Sequence, residues 1–582
     1  MNLDEQKVNE FLDGIDSEIT TNRRERKWED RAESWLQWRT GQKTGRGNPI
    51  FAANILGNLV DRKVALLTQA KPEIRASARK PDLGESSEVL TNTSRAILDQ
   101  NNFDALVERA GDLACTFGYV GFNTAWDPNA DFGQGDIVIS ALDPRLVAFD
   151  ERIKSTLDMP SAMYIRIRRP MALLDVRRIW KARGALVKPD ESVSSYRSDF
   201  APVSDPYAKR PLRTSSLRSS AYPYTWVDEY WVRDDQRGDD GEYLFPDGRV
   251  IHRGTGGIVL DDGPNPYWDG GWPTDIWDWR LDPDSALGRS DVAELQKLQE
   301  TYQRLGNSIA QNTLLSAVLT IVADVNALDP EQWKLLDNRA ARIIKKKPGK
   351  EFKFEIIPTF PQELLTYWQS LPEIMQILIG VPDILQGATQ GEKGVGAVEG
   401  LMVAAESLVR SCARRLEYVV ERVGQKLLSR IIQFYTSDRV LIANLPSEGW
   451  MQYTFERAKL IDPAIDFDQT KIEERKRYFS NFRFKVTPLS TLPVNRIQRA
   501  LLAREFYALG VLDEEEILKQ AEYPNWQMIL ARVLEAKRKA AEAKKEEMMF
   551  AAVTGTKPAS EGGGPASRPR TNSKGTSLGF GR

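Results

Sequence analysis

Val398, Leu401, Ala405, Leu408, Cys412, Leu416, Val419, Val423, Leu427, Ile431 and Phe434 recur at steps of three or four residues. The mean step lies near the 3.6-residue period of an α-helix. It predicts one helix of about 37 residues, roughly 55 Å long. Gly424, inside VERVGQKLL, is the expected bending point. A step near 3.6 with a central glycine favours packing within a fold over a sustained coiled-coil seam of 3.5. Upstream, Val292, Leu295, Leu298, Tyr302, Leu305 and Ile309 form a second helical series. Ser290 or Asp291 is placed to cap it, with Glu294 in its first turn. If helical to Leu319, it forms a rod of roughly 40 Å. A third series starts at Pro361 and runs through LLTYWQSLPEIMQILIG, where Pro372 should introduce a kink. Between these two helices, RIIKKKPGKEFKFEIIP, Arg342 to Pro358, has strand character.

Residues 1 to about 110 read as helices. Trp28, Trp35 and Trp38 sit among charges, as amphipathic anchors do, and Ile55, Leu59, Leu66 and Leu67 fall at helical spacing before Pro72. A further helix is expected over SSEVLTNTSRAILDQNN. From about Gly118 to Asp284 the period changes to that of strands: YVGFNTAW, GDIVISAL, SAMYIRIRR, VDEYWVR and GRVIHR, separated by Asp-Pro, Asp-Gly and glycine turns. Residues 186–222, rich in Ser, Pro and Arg, read as an exposed loop or a partly disordered insertion. DPNADFG, from Asp127, has Phe132 and Val138 where a calcium loop needs glycine and glutamate, so it reads as a hairpin turn. Residues 438–490 read as strands and loops. RIQRALLAREFYALGVLDEEEIL and QMILARVLEAKRKAAEAKKEEMMF read as helices, and the Gly/Ser/Pro-rich tail from Thr554 as disordered.

Composition narrows the chemistry. The chain has 582 residues, 41% hydrophobic and 28% charged, which is ordinary for globular domains. Eighty basic against 82 acidic residues give a net charge of -2, so broad affinity for nucleic acid is not expected. Two cysteines, Cys115 and Cys412, make neither a disulfide scaffold nor a zinc motif. The single histidine, His252, rules out histidine triads and multi-histidine metal sites and reads as a strand-end surface residue. The acidic N-terminus lacks the apolar core of a signal peptide. The uncharged run from Leu305 to Ala323 is too polar in its first half to span a bilayer. A soluble protein of a reducing compartment is expected.

One stretch tests for catalysis. LQGATQGEKGVGAVEG, Leu385 to Gly400, places Gly387, Gly391, Gly394 and Gly396 directly before the longest helix. A phosphate-binding loop needs G-x-x-x-x-G-K-[ST], but Gly387 to Gly391 is one residue short and Gly394 occupies the hydroxyl position. The dinucleotide pattern fails because Glu399 stands where its third glycine belongs. What remains is a pliable loop with Gln390, Glu392 and Lys393 at its tip, or a plain connector.

The order of parts resembles the portal proteins of tailed bacteriophages. An α/β region precedes a helix, a strand-bearing excursion, a returning helix, a glycine loop, a very long helix and a helical C-terminus. Asn54 to Ile74 resembles the family's early helix and following strand, Phe117 to Asp150 its wing hairpin, and GVPDILQGATQGEKGVGAVEGLMVAAESLVRSCARRLEYVVERVGQKLLSRIIQFY its tunnel loop and long wing helix. Ala508 to Asn525 resembles the segment leading to the crown.

The resemblance implies an α+β portal fold: an α/β wing, a two-helix stem, a small α/β clip, a long kinked wing helix and a helical crown. On this chain the wing would be 1–290, the stem helices 291–318 and 359–382, and the clip 319–358. The tunnel loop would be 383–397, the long wing helix 398–437, the wing return 438–495, the crown 496–552 and the tail 553–582. The family role would be a non-enzymatic homododecameric ring at one capsid vertex, needing no cofactor and no metal. Double-stranded DNA would pass through it with weak, non-specific contact, during packaging and ejection. Thr389, Gln390, Glu392 and Lys393 would face the channel. Lys345, Lys346, Lys347 and Lys350 would lie in the clip, where the terminase large subunit and later a head-completion or tail adaptor protein dock. A solvated turn is the plain alternative for these lysines. Major capsid or scaffolding protein would be further partners, with no membrane, and assembly would take place in the host cytoplasm. The competing readings are another virion structural protein, such as an adaptor or capsid component, and a packaging ATPase or nuclease.

Overall fold

The first helix shows how the sequence builds the wing. In the computed structural model α1, Glu5–Glu25, places Val8, Leu12, Ile15 and Ile19 on one stripe. That stripe packs on Ala148, Tyr164, Tyr230, Val232 and Ile251 of an antiparallel sheet. Burying such side chains stabilises by ~1.5–3 kcal/mol each. The sheet has five strands in the order β4-β5-β6-β7-β8, namely Val147–Phe149, Tyr164–Ala172, Tyr224–Val232, Arg249–Gly254 and Ile258–Pro264. Polar bonds fix the helix as well: Asp16 accepts from Arg166 Nη1 at 2.8 Å, from the Tyr230 hydroxyl at 2.8 Å, and from Arg253.

The structure describes residues 5–42, 51–68, 74–190, 223–238, 241–283, 285–317, 320–324, 347–355, 360–381, 395–445, 449–461 and 472–486, with a few scattered positions besides. The chain divides into two units, Met1–Pro493 and Val494–Arg582. In the second, only scattered positions between 530 and 539 are described; they are helical, with Lys539 paired to Glu535 at 2.8 Å. The expected crown and tail otherwise lie outside the described residues.

A second, larger core lies in the first unit. Helices α3 (Ile55–Thr68), α4 (Gly84–Gln100) and α5 (Phe103–Phe117) contribute Leu56, Val60, Leu90, Ile97 and Ala114. They share it with the three-stranded sheet β3-β2-β9, made of Asp136–Leu142, Tyr119–Asp127 and Thr274–Asp278. The DPNADFG segment is the turn of the β2/β3 hairpin, with Asp127 opposite Asp136 and a one-turn helix Ala130–Gly133 between them. α2, Trp28–Arg39, brings Trp28 and Trp38 into the cores as anchors.

Several expectations are corrected. The segment Leu173–Gly184, unassigned from the sequence, is helical with a break at Lys181 (φ 39°); it buries Leu173 and Val176 and leaves Leu174 and Ile179 exposed. The insertion expected over 186–222 is not wholly exposed, since Val187 and Val193 are buried. His252 sits inside β7 rather than at its end, beside a register shift, 25% exposed and against Trp180. The long helix spans 40 residues, Val395–Phe434. Gly424 in it answers a packing demand: a Cβ there would lie 2.1 Å from the Phe484 ring. Phe484 belongs to β14, Phe482–Val486, which pairs with β1, Ile74–Ala78, in the register Ile74 to Val486. That pairing joins positions some 400 residues apart and was invisible to local pattern.

Candidate functional site

Two helices lead away from this core. The first, Asp291–Ala317, is capped by Ser290, whose Oγ accepts from Ala293 N at 3.1 Å and donates to Thr116 O at 2.6 Å. The second, Gln362–Ile379, begins after Pro361 and stays one helix across Pro372. It ends at Gly380, φ 78°, in the left-handed conformation that glycine adopts at least cost. An aromatic clasp joins the two: Trp368 stacks on Tyr302 at 5.1 Å, donates to Tyr302 O at 3.1 Å, and takes the edge of Phe51 at 5.8 Å.

Asp291 is the root of the first helix. Its Oδ2 accepts from Lys63 Nζ at 2.6 Å and from Trp279 Nε1 at 2.7 Å, and its Oδ1 from Arg280 at 3.0 Å. The Lys63 and Asp291 side chains are each 1% exposed. Burial alone would neutralise both groups, but their mutual attraction outweighs it. Asp291 is held below the usual carboxylate range and Lys63 above its ordinary value. Burial and the charge of Asp291 push the Cys115 thiol up, and burial pushes Cys412 up to about 11. Both thiols therefore stay protonated at neutral pH and are poor nucleophiles.

The long helix is bolted to strand β9 and the segments beside it by a ladder of cations. Arg415 pairs with Asp278, and Arg422 donates to Thr156 O and, at 2.7 Å, to Ile276 O. Lys426 pairs with Asp275 at 2.7 Å and donates to Thr274 O at 3.0 Å, and Arg430 pairs with Asp269 at 2.7 Å. The carbonyls of Thr274 and Ile276 lie on the edge of the sheet β3-β2-β9, so the ladder satisfies acceptors that no further strand takes up. Burial pulls Lys426 below its ordinary value, with Asp275 partly compensating. Sequence reading missed this ladder. Its signal was basic residues at 422, 426 and 430, four apart on an otherwise buried helix, facing Asp269, Asp275 and Asp278.

Both leading helices keep apolar surface in water. Leu314 and Leu315 on the first are 54% and 55% exposed. On the second, Leu364, Tyr367, Ile374, Ile377 and Leu378 fall on one exposed stripe, with Ile377 at 68%. Beyond them β10, Thr320–Ala323, pairs antiparallel with β11, Phe352–Glu355. Lys347 and Lys350 lie in the exposed turn before β11, where Lys347 N donates to Ala327 O at 3.0 Å. Lys345 and Lys346 lie outside the described residues, as do Thr389, Gln390, Glu392 and Lys393. Among the described residues no group of histidine, cysteine and carboxylate side chains could hold a metal ion, and no helix is long and apolar enough to cross a membrane.

The family model for phage SU10 portal protein matches residues 133–454, more than half of the chain. This chain belongs to the phage SU10 portal family. The match begins at the β2/β3 turn and runs through the five-stranded sheet, both leading helices, the β10/β11 hairpin and the long helix, to strand β13, Gly449–Phe455. Portal proteins are structural components of the virion rather than enzymes, and the expected α+β class holds. No curated protein matches the chain. A solved structure, the virion of a native gene transfer agent particle, is similar over 85% of this chain and 95% of its own. Its identity is 11% and its TM-score 0.39, too distant a likeness to bear on function.

Proposed function

We propose that the protein is the portal subunit of a phage particle, forming a dodecameric ring at one capsid vertex through which double-stranded DNA is packaged, held and ejected. The carrying observation is the portal-family match, because it spans the two leading helices and the hairpin between them as one unit. In this reading Asp291–Ala317 and Gln362–Ile379 are the stem and β10/β11 the base of the clip. The exposed stripe on the second helix supports it, since apolar side chains left in water on an isolated chain call for a neighbour. A head-to-tail contact between copies closes into a ring when the rotation fits.

The loop carrying Thr389, Gln390, Glu392 and Lys393 would reach into the channel. A near-neutral wall with sparse cations guides DNA without arresting it, because each neutralised phosphate adds affinity. Lys345, Lys346, Lys347 and Lys350 would form the docking face for the terminase large subunit, then for a head-completion or tail adaptor. Electron microscopy of the purified full-length protein tests the reading. Closed rings with an axial channel are expected; a lone subunit under all conditions would overturn it.

A further inference from the structure

Helices α1 and α2, the segment before β4, and strands β5 and β6 enclose a cleft of about 400 Å³. Cavities of this size hold small organic molecules. Its walls carry four guanidinium groups, Arg23, Arg145, Arg166 and Arg168, and two indoles, Trp28 and Trp226. Two of the four are committed. Arg145 forks onto Asp143 at 3.1 and 2.9 Å, and Arg168 forks onto Asp228 at 2.7 and 2.9 Å.

The other two are not forked onto a carboxylate. Arg23 donates to the carbonyl oxygens of Arg145 and Val147 at 3.1 and 2.9 Å and lies over the Trp28 ring at 4.8 Å. Among the described residues it has no carboxylate partner. Arg166 is 8% exposed and gives Nη1 to Asp16 at 2.8 Å, while its Nε is buried with no hydrogen-bond partner. A buried donor left unfilled is costly. The two cations also repel: burial first, and the charge of Arg166 among the further causes, hold Arg23 below its ordinary value. An anion between them would offset the repulsion. Planar guanidinium forks match carboxylate and phosphate oxygens. Glu29 and Glu33 also line the cleft with exposed side chains, and Asp16, the partner of Arg166, is a third carboxylate in its wall. Their charge disfavours polyanions, so duplex DNA is a poor occupant and a small anion a good one.

We propose that this cleft is a binding site for a small organic anion, a carboxylate or a phosphate monoester, held between Arg23 and Arg166. The proposal does not depend on the channel reading. Titration calorimetry on the full-length protein at constant ionic strength tests it, with inorganic phosphate, adenosine monophosphate and benzoate as probes. Saturable binding of at least one probe, one per subunit, is expected. Preference for the first two identifies phosphate chemistry; preference for benzoate identifies carboxylate chemistry. Arg23→Gln should weaken binding at least ~tenfold, the loss of a charge-assisted pair of hydrogen bonds. Thr20→Trp, at an exposed position lining the cleft, should abolish it without touching any arginine, and decides the matter if Arg23→Gln fails to fold. Absence of saturable binding by all three probes, or unchanged binding in folded Thr20→Trp, would overturn the proposal.

Discussion

Asp291 gathers three side-chain donors at the root of the first leading helix, and its consequences for stability can be signed. Its folded pKa lies below the unfolded value, so its contribution is present above the ordinary carboxylate pKa and is lost as pH falls through the folded one. Lys63 is raised, so its contribution is present below the ordinary lysine value and is lost as pH rises through the folded one. Lys426 is lowered and acts in the opposite sense, favouring the folded state as pH climbs through its depressed pKa. Asp291→Asn strands Lys63 as a buried unpaired cation and should cost ~3–5 kcal/mol at neutral pH. Urea unfolding should show the gap between wild type and variant closing as pH falls from the ordinary carboxylate value of ~3.9, where the unfolded chain takes up the proton, through the depressed folded value of Asp291. A gap that stays constant down to acid pH would mean that the pair does not carry this stability.

Among the elements, the long helix matters most, because the larger core is built along it. Gly424 lets it press against β14, and β14 in turn closes onto β1. Gly424→Ala should destabilise the fold by ~1–3 kcal/mol through overpacking against Phe484, despite the better helix propensity of alanine. Adding Phe484→Leu should recover part of the loss in a double-mutant cycle of thermal unfolding; strict additivity of the two changes would contradict direct contact. The cation ladder predicts a second effect. Asp275→Asn leaves Lys426 buried without its counter-ion and should cost several kcal/mol, on the order of the 3–5 found for broken buried pairs. Lys426→Met in the same chain should restore much of it. Chemical denaturation measured by tryptophan fluorescence checks both, since Trp277 and Trp279 are fully buried in or next to β9.

For the assembled particle, the exposed stripe on Gln362–Ile379 is the surface to test. Ile377→Glu should abolish ring formation in electron microscopy while far-UV circular dichroism stays that of the wild type, because Ile377 is 68% exposed in the single chain. Intact rings in that variant would place the subunit contacts elsewhere. Lys393→Ala, introduced into a packaging-competent particle, should alter genome packaging or retention and leave rings intact; unchanged genome content would argue against a channel role for that lysine.

Repetition at helical or strand period was legible along the chain, since side-chain burial imposes it locally. The three helices at Asp291–Ala317, Gln362–Ile379 and Val395–Phe434 follow directly from their apolar spacing, as does the strand-rich middle region. The Ser290 cap was readable for the same reason, because a cap is bonded within three residues. Leu173–Gly184 escaped because its few apolar positions are split between a buried and an exposed face, blurring the period. Polar partnerships were illegible: Lys63 with Asp291, Lys426 with Asp275, Arg166 with Asp16. Each joins residues over a hundred positions apart, and a charged side chain carries no mark of which distant charge it will meet. The same holds for Gly424. Its lack of a side chain suggested a bend, but its reason is the ring of Phe484, and chain folding alone brings those two together.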